Sequence, residues 1–370
     1  MLQFESLIPY IYAIGIAQAL FLFFILIKKK ENRLANKILA FTMIFFSIDL
    51  VGEITVRTGF IKNIFWMIIF VTSLPFLYGP LIYLHIHFLT TARKKFRLKD
   101  MLHFIPFFVS FIYYVFLVFT TTFEYKIALI QFTEKPPLIV FLLGNLIPVV
   151  GIFYLVLTIK ATNKFNKNIR DKYSNIEKID LHLLNYLAYG NLIVWLVVIV
   201  GYVLNVIFNT WNYANILIYL TLSIFLYFLS FRAYKQPEIQ KTDAQDFSYK
   251  KSGLTNEKAD EYLEKIINKM ETDKLFLNPK LSLTELSQNT GISTHNISEI
   301  INTKLGQNFY DFVNKYRVEE VKRLIRNDKS INYNLLAHAF EAGFASKSAF
   351  NSSFKKFTGT TPSKFRDSLS

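Results

Sequence analysis

The stretch that decides the fold runs from Leu181 to Phe231 and reads LHLLNYLAYGNLIVWLVVIVGYVLNVIFNTWNYANILIYLTLSIFLYFLSF. Over these 51 residues there is no Asp, Glu, Lys or Arg. A helix needs about 20 apolar residues to cross a hydrocarbon core, so the run is long enough for two crossings. The polar segment from Asn209 to Asn215 divides it and predicts the turn of a helical hairpin.

Similar apolar segments recur along the first two thirds of the chain, and with this pair they number seven. They run from Ser6 to Ile27, Ile38 to Val56, Ile64 to Leu89, Phe104 to Thr122, Leu138 to Ile159, Leu183 to Phe208 and Ile216 to Tyr234. We therefore predict a seven-span transmembrane domain in residues 1–235. The first segment is expected to stay as a span, because no basic residue precedes it and its 22 uncharged residues exceed a signal-peptide core.

The composition of the whole chain agrees with a membrane protein. Hydrophobic residues make up 52% of the 370 residues and charged residues only 19%. The absence of Cys excludes disulfides, thiolate metal sites and a cysteine nucleophile. The net charge of +15 has two explanations, because a basic surplus is typical both of nucleic-acid binding and of loops retained in the cytoplasm.

The positions of the basic residues predict the orientation. Eighteen Lys and Arg follow the first, third, fifth and seventh segments, whereas the other loops carry four: Arg57, Lys62, Lys126 and Lys135. Positively charged loops stay on the cytoplasmic side. We therefore expect a multi-pass protein of the cell inner membrane, with its N-terminus outside and everything after the seventh span in the cytoplasm.

Charge inside the predicted spans is confined to the second one. Asp49, Glu53 and Arg57 recur every four residues and form one stripe on that helix. One interpretation pairs Glu53 with Arg57 and places Asp49 beside polar neighbours such as Asn145 or Asn191. The other makes Asp49 and Glu53 part of a pocket for a cationic or polar ligand that enters from outside.

The last third of the chain is polar and predicts a soluble domain. Residues 236–275 read as a linker followed by an amphipathic helix, with Thr255 or Asn256 as its N-cap. The apolar face of that helix either packs onto the following domain or pairs with its copy in a dimer. The remaining residues, 276–370, contain a duplicated unit.

The two copies of this unit share their spacing. Leu283 and Leu335 each lie eight residues before a glycine, Gly291 or Gly343, and a Ser follows each glycine at the start of a second helix. A glycine at the turn and a Ser N-cap after it predict helix, tight turn, helix in both copies. Residues 309–326 between the copies predict a linker helix about 27 Å long, which suits two recognition helices in adjacent major grooves.

Residues 283–366 resemble the DNA-binding domain of AraC/XylS-type transcription regulators. The resemblance is strongest over AGFASKSAFNSSFKKFTGTTPSKFR, Ala342 to Arg366. It implies an all-α DNA reader with two helix-turn-helix units. The implied DNA-binding residues are His295, Asn296, Ser298, Glu299 and Asn302 on the first recognition helix and Ser346, Lys347, Ser348, Asn351, Ser352, Lys355 and Lys356 on the second.

The whole arrangement resembles regulators in which such a domain follows a multi-pass membrane sensor, which would be residues 1–235 here. The resemblance implies a membrane-tethered transcription regulator, and we expect no enzymatic activity, no cofactor and no metal site. It would sense a signal through its transmembrane bundle and bind promoter DNA sequence-specifically. The implied partners are double-stranded promoter DNA, the lipid bilayer, an unknown small ligand or membrane signal, a second copy in a homodimer, and RNA polymerase. The alternative is a membrane transporter or channel with a regulatory cytoplasmic tail.

Overall fold

A computed structural model describes residues 2–91, 93, 95–122, 124–126, 137–176, 181–208, 211–235, 254–327 and 334–369. Within these ranges the chain is all-α, as predicted, with one isolated antiparallel bridge between Tyr173 and Ser282. Packing divides the chain into two compact units. Unit 1 comprises Met1–Asn163 and His182–Asp243, and unit 2 comprises Lys164–Leu181 and Ala244–Ser370.

The main helices of unit 1 follow the predicted apolar segments. They are α1 Leu2–Lys28, α2 Arg33–Arg57, α3 Ile68–Ser73, α4 Pro75–Thr90, α5 Ile105–Thr120, α6 Leu138–Arg170, α7 Leu181–Phe208 and α8 Trp211–Lys235. Six helices of the described chain are long and apolar enough to cross a membrane, or seven if one bent pair counts as a single span. Helix α6 continues eleven residues beyond the predicted end of the fifth segment at Ile159, and its last residues belong to unit 2.

The third predicted segment is broken rather than continuous. The helical stretches Phe65–Ser73 and Pro75–Thr90 meet at an angle of 42°. Pro75 stands at this break, and proline has no N–H for the helical ladder while its ring crowds the preceding turn. The bend therefore has a local cause in the sequence.

Helix α2 forms the centre of unit 1. It packs against α1, α3, α4 and α8. Of its most apolar 18-residue stretch, 67% is buried, whereas the figure for α1 is 22%. The surrounding helices turn large apolar side chains outward instead, including Phe21, Phe119 and Phe153. Unit 1 therefore has a covered central helix and an apolar exterior.

Unit 2 contains the predicted helix-turn-helix copies. Its C-terminal helices are α9 Asn256–Thr272, α10 Leu283–Thr290, α11 Thr294–Lys304, α12 Phe309–Asn327, α13 Leu335–Glu341, α14 Lys347–Thr358 and α15 Pro362–Asp367. Two apolar cores form around α12. Phe312 and Val313 of this helix enter the first core, while Val318 and Val321 enter the second.

The amphipathic helix α9 belongs to the first core. Its buried residues Ile266 and Met270 pack with the buried residues of α10 and α11, and Lys304 of α11 forms an ion pair with Asp260 of α9 at 2.7 Å. Of the two options left by the sequence, the structure therefore shows packing onto the following domain. The preceding segment, residues 236–253, lies outside the described residues.

Candidate functional site

The first helix-turn-helix unit is formed by α10 and α11. Gly291 ends α10 in the left-handed conformation at φ 69°. The hydroxyl of Ser293 accepts a hydrogen bond from the Asn296 backbone N–H at 3.2 Å and caps α11. Helix α11 therefore occupies the position predicted for the first recognition helix, the name we keep for it, and the predicted N-cap is confirmed.

The second unit repeats this geometry with α13 and α14. Gly343 has φ 89°, and the Ser346 hydroxyl accepts a hydrogen bond from the Ala349 backbone N–H at 3.1 Å. The Phe side chains that follow are core, as predicted: Phe344, Phe350 and Phe354 are buried, with Phe357 and Phe365 packed against them. Helix α14 occupies the position predicted for the second recognition helix, and we keep that name for it.

The predicted DNA-binding side chains of α14 share one open face. Ser346 is half-buried as the cap, and the others are all exposed, namely Lys347, Ser348, Asn351, Ser352, Lys355 and Lys356. Lys356 also forms an ion pair with Asp311 of α12 at 2.6 Å, which joins the second recognition helix to the linker helix. The amide and hydroxyl groups on this face suit base edges, and the ammonium groups suit phosphates.

The corresponding face of α11 is less open. His295, Asn296, Glu299 and Asn302 are half-buried, and Glu299 lies 3.6 Å from the His295 ring. Ser298 was expected on the solvent side and is buried, with only 3% of its surface exposed. The side-chain amide of Asn302 donates to the Ser298 carbonyl at 2.8 Å, so both residues occupy one strip of the helix.

The comparisons with known proteins concern this same region. Residues 286–368 match the family model described as "Helix-turn-helix domain". The C-terminal domain is an AraC/XylS-type helix-turn-helix domain.

Curated relatives that match part of the chain include uncharacterized HTH-type transcriptional regulators of Staphylococcus aureus strains COL, MSSA476 and N315. Each is 35% identical over 94 residues, which is 25% of this chain and 12% of the relative. The match thus spans about an eighth of each relative's length. No solved structure gives a significant match.

Arg317 is a buried arginine of the helix-turn-helix domain that was not predicted from the sequence. It lies on α12 at the junction of the two cores and is 1% exposed. Its guanidinium donates five hydrogen bonds to neutral oxygens: the carbonyls of Ser174, Phe276 and Asn278, the Ser174 hydroxyl and the Asn314 amide oxygen. Burial lowers the pKa of Arg317 to about 10, so the group stays charged at neutral pH. A sequence shows one more Arg on a polar helix and gives no signal of this burial.

The predicted polar stripe of α2 lies inside unit 1. The Asp49 carboxylate accepts hydrogen bonds from the hydroxyls of Tyr78 at 2.7 Å and Tyr219 at 3.1 Å. These tyrosines replace Asn145 and Asn191, the expected neighbours, because α4 and α8 are the helices that contact this face of α2. Glu53 pairs with Arg57 at 3.6 Å, as one interpretation expected. Together these contacts join three helices through buried polar groups.

Proposed function

We propose that this protein is a membrane-tethered transcription regulator whose helix-turn-helix domain binds promoter DNA in the cytoplasm. The observation that carries the proposal is the exposed polar and basic face of α14. The other recognition helix, α11, is joined to the same linker helix, α12. The HTH-type regulators that match this domain support DNA binding in transcription as its role. Activation or repression would then follow from contact with RNA polymerase.

The exterior of unit 1 supports membrane insertion. Soluble monomers rarely expose apolar patches larger than a few hundred Å². Here large apolar side chains face outward on several helices of unit 1: Phe21, Phe24, Phe116, Phe119, Phe141, Phe153 and Phe228 are each more than half exposed. Contact with lipid would remove this surface from water, and the basic loops would hold the helix-turn-helix domain on the cytoplasmic side.

DNA binding is tested with a fragment of residues 254–370, which includes α9 because that helix completes the first core. We expect it to shift promoter DNA, with an affinity that falls steeply as salt rises.

Lys355→Ala should weaken binding to all sequences similarly and reduce the salt dependence by about one phosphate contact. Asn351→Ala should instead change the sequence preference and cost about 1–3 kcal/mol on the preferred site.

The matched control is Lys265→Ala, which removes the same charge from an exposed position on α9. It should leave both affinity and preference unchanged. If the folded, monodisperse fragment binds no DNA at low salt, the proposed function is wrong. If Asn351→Ala and Lys355→Ala behave alike, the assignment of base and phosphate contacts is wrong.

The signal would act on the bundle through the polar groups of α2. Asp49, on α2, joins α4 and α8 through Tyr78 and Tyr219, so a polar ligand that competes for these hydrogen bonds would change the packing of three helices. A ligand shifts such an equilibrium only through different affinities for the two states. If two copies form a homodimer, each copy would place its own pair of recognition helices on one of two DNA sites.

This sensing role predicts a phenotype for the α2 carboxylates. The double variant Asp49→Asn and Glu53→Gln keeps the side-chain shapes but removes both negative charges, so we expect altered promoter output in response to the stimulus. Output is read with a reporter gene in cells, and Asn145→Asp serves as a control that adds a charge on α6 instead. Unchanged output under every stimulus would remove Asp49 and Glu53 from the sensing site.

A further inference from the structure

The end of α6 and the residues after it belong to unit 2, the compact unit that contains both helix-turn-helix copies. We call residues 164–176 the clasp segment, and they comprise the end of α6 and the residues after it. Its backbone pairs with the start of α10: Ser174 N–H donates to the Leu281 carbonyl at 3.3 Å, and Leu283 N–H donates to the Lys172 carbonyl at 3.0 Å. This pairing produces the single bridge between Tyr173 and Ser282.

Ser174 anchors the clasp segment on the buried cation of the linker helix. Its carbonyl and hydroxyl oxygens each accept a hydrogen bond from the Arg317 guanidinium at 3.2 Å, and the carbonyl also accepts from the Asn314 side chain at 3.4 Å. The Ser174 hydroxyl donates in turn to the Leu281 carbonyl. Ser174 is 1% exposed, so these bonds form out of water, where their loss is costly.

The clasp segment also lies close to the first recognition helix. Asp171 is buried in unit 2, and the Asn302 side chain of α11 lies near its carboxylate. Ser298 lies one turn before Asn302 and is buried as well. On the second recognition helix, the residues at the same distances from the N-cap are Asn351 and Lys355, and both are exposed. A carboxylate beside the α11 face would also repel DNA phosphates.

We propose that the clasp segment is an autoinhibitory element that withholds the first recognition helix from DNA until the segment is released. The proposal rests on the proposed function, since it assumes that α11 binds DNA. Helix α6 is one continuous helix from Leu138 to Arg170 and carries the clasp segment at its end. A signal that moves α6 would therefore pull directly on the bonds of Ser174 and Asp171.

A disulfide lock tests the proposal in the full-length chain. The two bridge residues form a pair without direct hydrogen bonds between them, for which the Cα atoms are about 4.5 Å apart, and this spacing accepts a disulfide. The chain has no cysteine, so Tyr173→Cys with Ser282→Cys creates one defined pair. The protein is reconstituted in lipid nanodiscs, and its affinity for a duplex of about 30 base pairs enriched from a random pool is measured in oxidised and reduced forms.

We expect the oxidised lock to bind the duplex at least about fivefold more weakly than the reduced form, the lower end of typical coupling effects. Ser282 also caps α10, because its hydroxyl accepts a hydrogen bond from the Glu285 backbone N–H at 3.2 Å. The reduced form is the matched control, since it has lost this cap in the same way. Equal affinity in both forms, or failure of the disulfide to form under oxidant, overturns the clasp. If the fragment 254–370, which lacks the clasp segment, also binds no DNA, the proposed function fails instead.

A release variant tests the opposite direction. Ser174→Lys places an ammonium beside the Arg317 guanidinium, so the clasp segment should leave the domain and affinity for the same duplex should rise about fivefold or more. Asn163→Lys adds the same charge at an exposed position eleven residues earlier and should leave the affinity unchanged. An equal rise in both variants would show that the added positive charge simply attracts DNA, and it would contradict the autoinhibitory role of the clasp segment.

Discussion

Gly343→Ala is expected to destabilise the helix-turn-helix domain by about 3 to 5 kcal/mol, far more than the same change at its counterpart in the first unit. A Cβ at Gly343 would lie 2.5 Å from the Phe276 carbonyl oxygen and 2.7 Å from that of Leu277. Both are backbone atoms and cannot rotate away. The residue also has φ 89°, which strains any side chain.

Gly291→Ala is the control, because that glycine has φ 69° but no described heavy atom within 4 Å of the added Cβ. Only the left-handed backbone then costs energy, about 1 to 2 kcal/mol. Urea unfolding of the fragment 254–370 measures both variants. Equal losses would mean that the close approach between the second turn and residues 276–277 does not occur.

Arg317→Met is expected to cost about 3 kcal/mol or more of unfolding free energy, because it leaves several buried acceptors without a donor. The Phe276 and Asn278 carbonyls and the Asn314 amide oxygen would all lose their guanidinium partner. Arg317→Lys should recover only part of the loss, since a compact ammonium cannot reach acceptors spread around a planar fork.

Urea unfolding of the fragment 254–370 again gives the measurement. The control is Arg323→Met on the same helix, where the guanidinium is half exposed and pairs with Glu320 at 2.7 Å. Exposed pairs contribute about 0 to 1 kcal/mol, so this variant should be nearly neutral. If Arg317→Met is equally neutral, the buried hydrogen-bond network does not hold the two cores together.

The parts of the fold that depend on local signals could be predicted from the sequence. Apolar runs located the helices of unit 1, and the turn glycines and the caps Ser293 and Ser346 located both helix-turn-helix units. These features are set within a few residues of each other. Helix bounds differed mainly where a chemical detail intervened, as at Pro75, or where no turn signal follows, as beyond Ile159 in α6.

The buried polar hydrogen bonds of both units join residues that lie far apart in the chain. Ser174 and Arg317 are 143 residues apart, and Asp49 and Tyr219 are 170 residues apart. Hydropathy and spacing identify polar residues that need partners but not which partners they find. For the same reason Ser298 was expected to be exposed, because helical periodicity places it on the outer strip whatever covers that strip in the folded unit.

The most direct measurement of the central claim is recovery of DNA crosslinked to the full-length protein in the membrane fraction of cells. If the protein is a membrane-tethered regulator, sequencing this DNA should give discrete promoter sites from wild type, lost in a double variant carrying Asn351→Ala and Lys355→Ala. Protein in the soluble fraction only, or equal recovery of sites from the double variant, would contradict it.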